Sequence, residues 1–351
     1  MSGFQDRIIG IRELAEKRGL NSIVLRRNPN LAWAIGGRVH VPNTLDLACF
    51  DLIVTAEKVI AVTNAIEAPR LITEEFPSEI EVVVINWWES RDKVLPIGEF
   101  VGSDQIGANR IDLSLEIEIL RQSLVYEDVL RFKNLCSDAA IALGNALKST
   151  ESNEREIDVS ARIANLLWQN NLELVFLGVA GAERALKFRH PLPTEAILGN
   201  RVIASICARR KGMIASVTRI VSFANDQIDG YENLLKVEAE VLDKTKVGAK
   251  FSEPVEAAIT SYPKYGFEKD EWQKHHQGGP TGYLPRDWPA TPESVRLIQE
   301  NQPIAWNPTA NGWKVEDTIL AVSAGPEILT FDPNWPILDI SGRQRPGLLL
   351  K

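Results

Sequence analysis

The hydrophobic positions change period along the chain, and the changes mark its elements. Ile8, Ile9, Ile11, Leu14 and Ala15 keep helical spacing, and Gly19 stands where a left-handed residue closes a last turn. Ser22–Leu25 reads as a short buried strand. Asn28-Pro29-Asn30 reads as a turn ahead of the apolar Leu31–Ile35. Further strands are predicted over Asp51–Val54, Val59–Val62 and Glu81–Ile85, so roughly the first 120 residues predict a mixed α/β sheet with helices on its faces. Asp112–Leu147 is helical in pattern almost throughout, without proline. A break is predicted near Ser123-Leu124-Val125, where two domains would join, 1–122 and 123–351. Beyond it come an amphipathic helix over Glu156–Asn170, strands over Leu174–Leu177, Val202–Ile206 and Ile214–Val217, helices over Tyr231–Leu242 and Pro254–Tyr262, and a closing strand at Asp317–Val322.

Composition removes several function classes. Net charge is 39 − 47 = −8 with histidine neutral, which disfavours a phosphate-backbone partner. No apolar run approaches the roughly 18 residues of a membrane span. Asp6 falls within what would be the basic start of a secretory leader, and the three cysteines (Cys49, Cys136, Cys207) have no CxxC spacing. The expectation is a cytoplasmic protein with neither nucleic acid nor membrane as partner. GxSxG, P-loop and HExxH motifs are absent.

There are 4 histidines. His190 lies in Phe188-Arg189-His190-Pro191. His275 and His276 open a run with glycines at 278, 279 and 282, which reads as a loop able to approach a ligand closely. His40 follows Gly36-Gly37-Arg38-Val39. Imidazole suits proton transfer near neutral pH.

Five segments, in this order, resemble the pita-bread family of creatinase, prolidase and aminopeptidase P. They are Asn30–Gly37, the region of His190, Ser216-Val217-Thr218-Arg219, Trp272–Tyr283, and Val315–Val322 with Ala324–Thr330. The resemblance covers nearly the whole chain. It implies an α/β N-terminal domain and an α+β pita-bread C-terminal domain, a curved antiparallel sheet covered by helices at 124–148, 156–170, 231–242 and 254–262.

Peptidases of the family hold two divalent metals with two aspartates, a histidine and two glutamates. The aspartate positions fall on Ser205 and Ser216, the histidine on Gly279 and the first glutamate on Asn307, and Glu316 alone keeps a carboxylate. One carboxylate with hydroxyls and an amide does not balance two dications, so no metal and no other cofactor is expected.

The resemblance to creatinase, which cleaves a carbon–nitrogen bond without metal, implies a metal-independent hydrolase of a small amide, amidine or peptide. His190 would be base and acid, Glu316 would hold the substrate, and His275 or His276 would assist the leaving nitrogen. Arg286 and Tyr283 would grip a substrate carboxylate, with Asn307, Ser205, Ser216 and Arg219 lining the cleft. A homodimer is implied, with Trp33, Arg38 and His40 approaching the neighbouring cleft. The alternative is an inactive family member that binds a peptide, small ligand or protein, and a third reading is an Xaa-Pro metallopeptidase. Trp272, Trp288, Trp306 and Trp313 are candidates for pocket walls.

Overall fold

The computed structural model describes residues 3–42, 44–107, 109–224 and 228–351; Met1 and Ser2 of the leader reading lie outside it. The chain divides into two compact units. One holds residues up to Val129 together with Lys211–Met213, and the other Leu130–Arg210 and Ile214–Lys351.

The first unit is built on a six-stranded mixed sheet. Its strands are β1 (Ser22–Arg27), β2 (Leu47–Thr55), β3 (Val59–Asn64), β4 (Glu81–Ile85), β5 (Val101–Ser103) and β6 (Ile111–Asp112), in the order β4-β3-β2-β1-β5-β6. The helix Gly3–Lys17 buries Ile8, Ile11, Leu14 and Ala15 as its spacing predicts, while Ile9 of the same set is exposed. The Asn28-Pro29-Asn30 turn is corrected: these residues are the first turn of a helix, Asn28–Ile35. Proline near a helix start gives up an N–H that would have no partner there. Gly36, at φ 68°, takes the left-handed cap that ends it.

The helical stretch breaks where its pattern predicts, into Ser114–Gln122 and Tyr126–Lys148. The second unit carries two four-stranded sheets. One runs β18-β9-β8-β7, with β7 Glu173–Gly181, β8 Arg201–Arg210, β9 Met213–Ser222 and β18 Leu349–Leu350. The other runs β10-β11-β14-β15, with β10 Gly278–Pro280, β11 Gln302–Trp306, β14 Asp317–Ala321 and β15 Glu327–Ile328. Two-stranded ribbons pair β12 (Thr309–Ala310) with β13 (Trp313–Lys314), and β16 (Ile337–Ile340) with β17 (Arg343–Pro346). Helices Ile228–Lys244 and Ser252–Lys264 send Leu234, Leu235, Val255, Ala258 and Tyr262 into one core with Ile203, Ile220, Ile304, Trp306 and Ile319 of the strands. This is the pita-bread architecture.

Part of the expected Gly-rich loop is a strand: Gly278 and Gly279 pair with Trp306 and Ala305. Their glycines serve backbone approach. A Cβ on Gly278 would lie 2.3 Å from the Ala305 carbonyl oxygen, and one on Gly279 2.5 Å from that of Trp288.

Candidate active site

In β8 and β9 successive side chains alternate between faces of the sheet. Ser205 and Cys207 of β8 therefore share a face, and Ser216 and Thr218 of β9 meet them there. Ser205 Oγ lies 2.7 Å from Thr218 Oγ1, and Cys207 Sγ 3.4 Å from Ser216 Oγ. Thr218 donates to Glu316 Oε2 at 3.0 Å, and Asn307 Nδ2 to Glu316 Oε1 at 3.4 Å. Thr218 thus joins Ser205 to Glu316, and Asn307 joins Glu316 directly, in one buried hydrogen-bonded group with Ser216 beside it.

Arg219 is corrected. One position further along β9, it faces the other way, where it donates to Asp317 Oδ1 at 3.0 Å and to the carbonyl oxygens of Thr218 and Thr330. It belongs to a buried charge network in which Arg345 binds Glu238 and Asp317, and it leaves the site.

Two cations flank Glu316. Lys314 Nζ stands 2.8 Å from Oε2 and Arg286 Nη2 3.6 Å from Oε1. Burial pushes the Glu316 carboxyl up, but Lys314, Arg286 and hydrogen bonds from Lys314 and Thr218 more than offset this and hold it below the usual range. Burial likewise pushes the Cys207 thiol up to about 11, with help from Glu316, so it is no ready nucleophile. Lys314 escaped the sequence reading. The signal was its position two residues before Glu316, which puts both side chains on one side of an extended segment.

The two-metal centre does not fit. Four of the five aligned positions carry neither carboxylate nor imidazole, and each oxygen of the remaining carboxylate faces a side-chain cation. A pair of dications there would meet two like charges and one carboxylate.

The three site histidines converge. His190 Nε2 lies 3.0 Å from His275 Nε2, and His275 and His276 stack at 4.4 Å between ring centroids. Burial, then Lys314, lowers the basicity of His190, while Glu316 opposes them. Burial and the nearby cations push His275 down to about 2 and His276 to about 4. Arg189 and Glu271 form an ion pair, tying the residue before His190 to the turn Glu271–Lys274 that precedes His275.

A pocket opens here, lined by Phe176, Phe188, His190, Ser205, Trp313 and Lys314, among others. Of the four tryptophans, Trp313 alone lines it, held by the Arg201 guanidinium 3.8 Å over its ring. Trp306 is wholly buried and donates to Thr245, while Trp272 and Trp288 pack against the core. Arg286 is engaged by Glu316 and the Gly279 carbonyl oxygen, and the Tyr283 ring is buried. The two therefore do not form an open carboxylate clamp.

Trp33, Arg38 and His40 belong to the first unit. Trp33 is only 3% exposed, packed within its helix's core face. Arg38 binds Glu75 and Glu74, and His40 is half-buried.

A model described as metallopeptidase family M24 matches residues 131–323. No curated protein matches by sequence. The structure is similar to the prolidase of Pyrococcus horikoshii OT3, with TM-score 0.79 and 18% identity over 93% of this chain and 98% of that one. It is similar to the X-Pro aminopeptidase of Thermotoga maritima MSB8, with TM-score 0.77 and 14% identity over 97% and 98%. It also resembles the N-terminal domain of the FACT complex subunit SPT16 from Cicer arietinum, with TM-score 0.71 and 13% identity over 93% and 96%.

Proposed function

The chain belongs to metallopeptidase family M24, and from that premise we propose that it hydrolyses a carbon–nitrogen bond in a small amide, amidine or peptide without the two-metal centre. The observation that carries this reading is the pairing of Glu316 with Lys314 and Arg286 beside the facing imidazoles of His190 and His275. Side-chain cations hold the carboxylate where metals otherwise would, and an imidazole remains at the pocket to move a proton.

In this mechanism His190 takes a proton from water as the oxygen attacks the carbonyl or amidine carbon. His275 fixes the His190 ring through the Nε2 contact. The Lys314 ammonium stabilises negative charge developing on the attacked group, as a preorganised charge. The carbon–nitrogen bond then breaks, and His190 returns the proton it took to the leaving nitrogen. Glu316 and the unpartnered Asn307 Oδ1 accept N–H groups of the substrate.

The second reading, a non-catalytic binder in the same cleft, is favoured by the internal satisfaction of Glu316 and Arg286. An Xaa-Pro metallopeptidase is disfavoured by the cations at Glu316. We also propose that the chain acts in solution as a homodimer.

The deciding experiment is a turnover screen of amides, N-carbamoyl and amidino acids and Xaa-Pro dipeptides, with chelator present throughout. Turnover is expected to survive chelator and to fall about 10²–10⁴-fold in His190→Ala. Its absence on every substrate, with saturable ligand binding in the cleft, would replace the hydrolase by the binder.

A further inference from the structure

The imidazoles of His190, His275 and His276 form a second constellation beside the aligned metal positions. Each offers one ring nitrogen, and these donor atoms all lie within 4.8 Å of one another. A tetrahedral zinc ion with bonds of 2.0–2.1 Å separates its ligand nitrogens by roughly 3.4 Å. The His190–His275 pair, at 3.0 Å, already stands near that spacing. His276 Nδ1 is buried with no hydrogen-bond partner among the described residues, so its ring is not tied to another acceptor or donor through that atom. Ring rotations bring the third nitrogen in.

We infer that His190, His275 and His276 bind one zinc ion. The donor set selects the metal: three imidazoles without a carboxylate suit zinc and its late first-row neighbours, and they discriminate against magnesium, calcium and manganese. The segments that carry the ligands are fixed in advance. The Arg189–Glu271 ion pair locks the residue beside His190 to the turn before His275, and Lys274 reaches the same Glu271 at 2.8 Å. Arg189 is therefore a positioning residue for the site. Three protein ligands leave the fourth position for water or a small ligand from the pocket that His190 lines.

Lys314 acts electrostatically on all three rings and Arg286 on His276. These like charges weaken the ion's hold, with Glu316 acting in the opposite sense on His190 and His276. Removing the Lys314 charge tightens it. Zinc on His190 Nε2 leaves that ring's one proton on Nδ1, so the imidazole has no lone pair left to take a proton from water, as the proposed hydrolase requires. Resting on that reading, zinc and turnover exclude one another, and the ion is an inhibitor.

The test titrates the full, chelator-stripped protein with zinc sulfate by calorimetry, with elemental analysis after desalting and cobalt as a visible probe. One zinc per chain is expected, with a four-coordinate cobalt spectrum. His190→Ala and His276→Ala should each weaken binding at least tenfold, Arg189→Met about tenfold, and Lys314→Met should strengthen it. His190 is exposed, so its substitution reports on the ligand even where His276→Ala disturbs the fold. No uptake by the wild type, or uptake unchanged in both histidine variants, overturns the site. Turnover that continues with one equivalent bound overturns the inhibitory role alone. Stoichiometric zinc in a protein without turnover upholds the site and counts only against the hydrolase.

Discussion

At the residue scale, the fate of Glu316 depends on which neighbours replace the metals. Two cations and two hydrogen bonds reach its buried carboxylate. Removing it leaves Lys314 and Arg286 facing each other without an anion, whereas removing Lys314 still leaves Arg286 as partner. Breaking one side of a buried pair costs roughly 3–5 kcal/mol. Glu316→Gln is therefore expected near that range and Lys314→Met clearly below it. Urea unfolding of both variants checks the order, and equal losses would show that Arg286 contributes nothing to holding the carboxylate.

At the element scale, β10 explains why the aligned histidine position is glycine. Gly279 sits at φ 150°, with the Trp288 carbonyl where a Cβ would go. Gly279→Ala is expected to cost at least about 2 kcal/mol from strain and displaced backbone. A midpoint in urea unchanged from wild type would contradict it. Helices Ile228–Lys244 and Ser252–Lys264 are joined by a softer contact, from Lys264 and Tyr265 to Glu240. Hydrogen bonds from Lys264 and Tyr265 lower the Glu240 pKa against a small burial effect. The sign follows: a lowered folded pKa adds stability that is present above the unfolded value of about 4.3 and lost as pH falls through the folded one. The pair is partly exposed, so Glu240→Gln should cost under about 1 kcal/mol at pH 7 and nothing at the acid end. Thermal melts across that range test it.

At the scale of the whole molecule, the proposed homodimer predicts twice the chain mass by light scattering at micromolar concentration. A monomer there would remove it. Trp87 and Trp88, 64% and 67% exposed just beyond the edge strand β4, are the large apolar side chains of the first unit to watch. If they lie at the dimer contact, their fluorescence should shift to the blue as concentration rises through association. No helix among the described residues is long and apolar enough to cross a membrane.

The sequence by itself determined the elements and their order, because periodicity is local. The break at 123–125, the helices after Glu156 and Ile228, and the alternating strands around Ser205 and Ser216 are all written in short windows. The losses at Ser205, Ser216, Gly279 and Asn307 are visible as residue types once the chain is set beside the family it resembles. Tertiary structure decided their partners. Asn28–Ile35 became a helix because capping by Gly36 and burial of its face outweighed a turn-like tripeptide. Arg219 went to Asp317 because alternation on β9 sends it through the sheet, and Lys314 came to Glu316 in its place. The Arg219 pairing is not local: Arg219 and Asp317 stand 98 positions apart. His190 and His275, 85 positions apart, meet only once β-sheet and helix packing close the chain. Long-range electrostatics and packing choose among chemically equivalent candidates, and no window of sequence contains that choice.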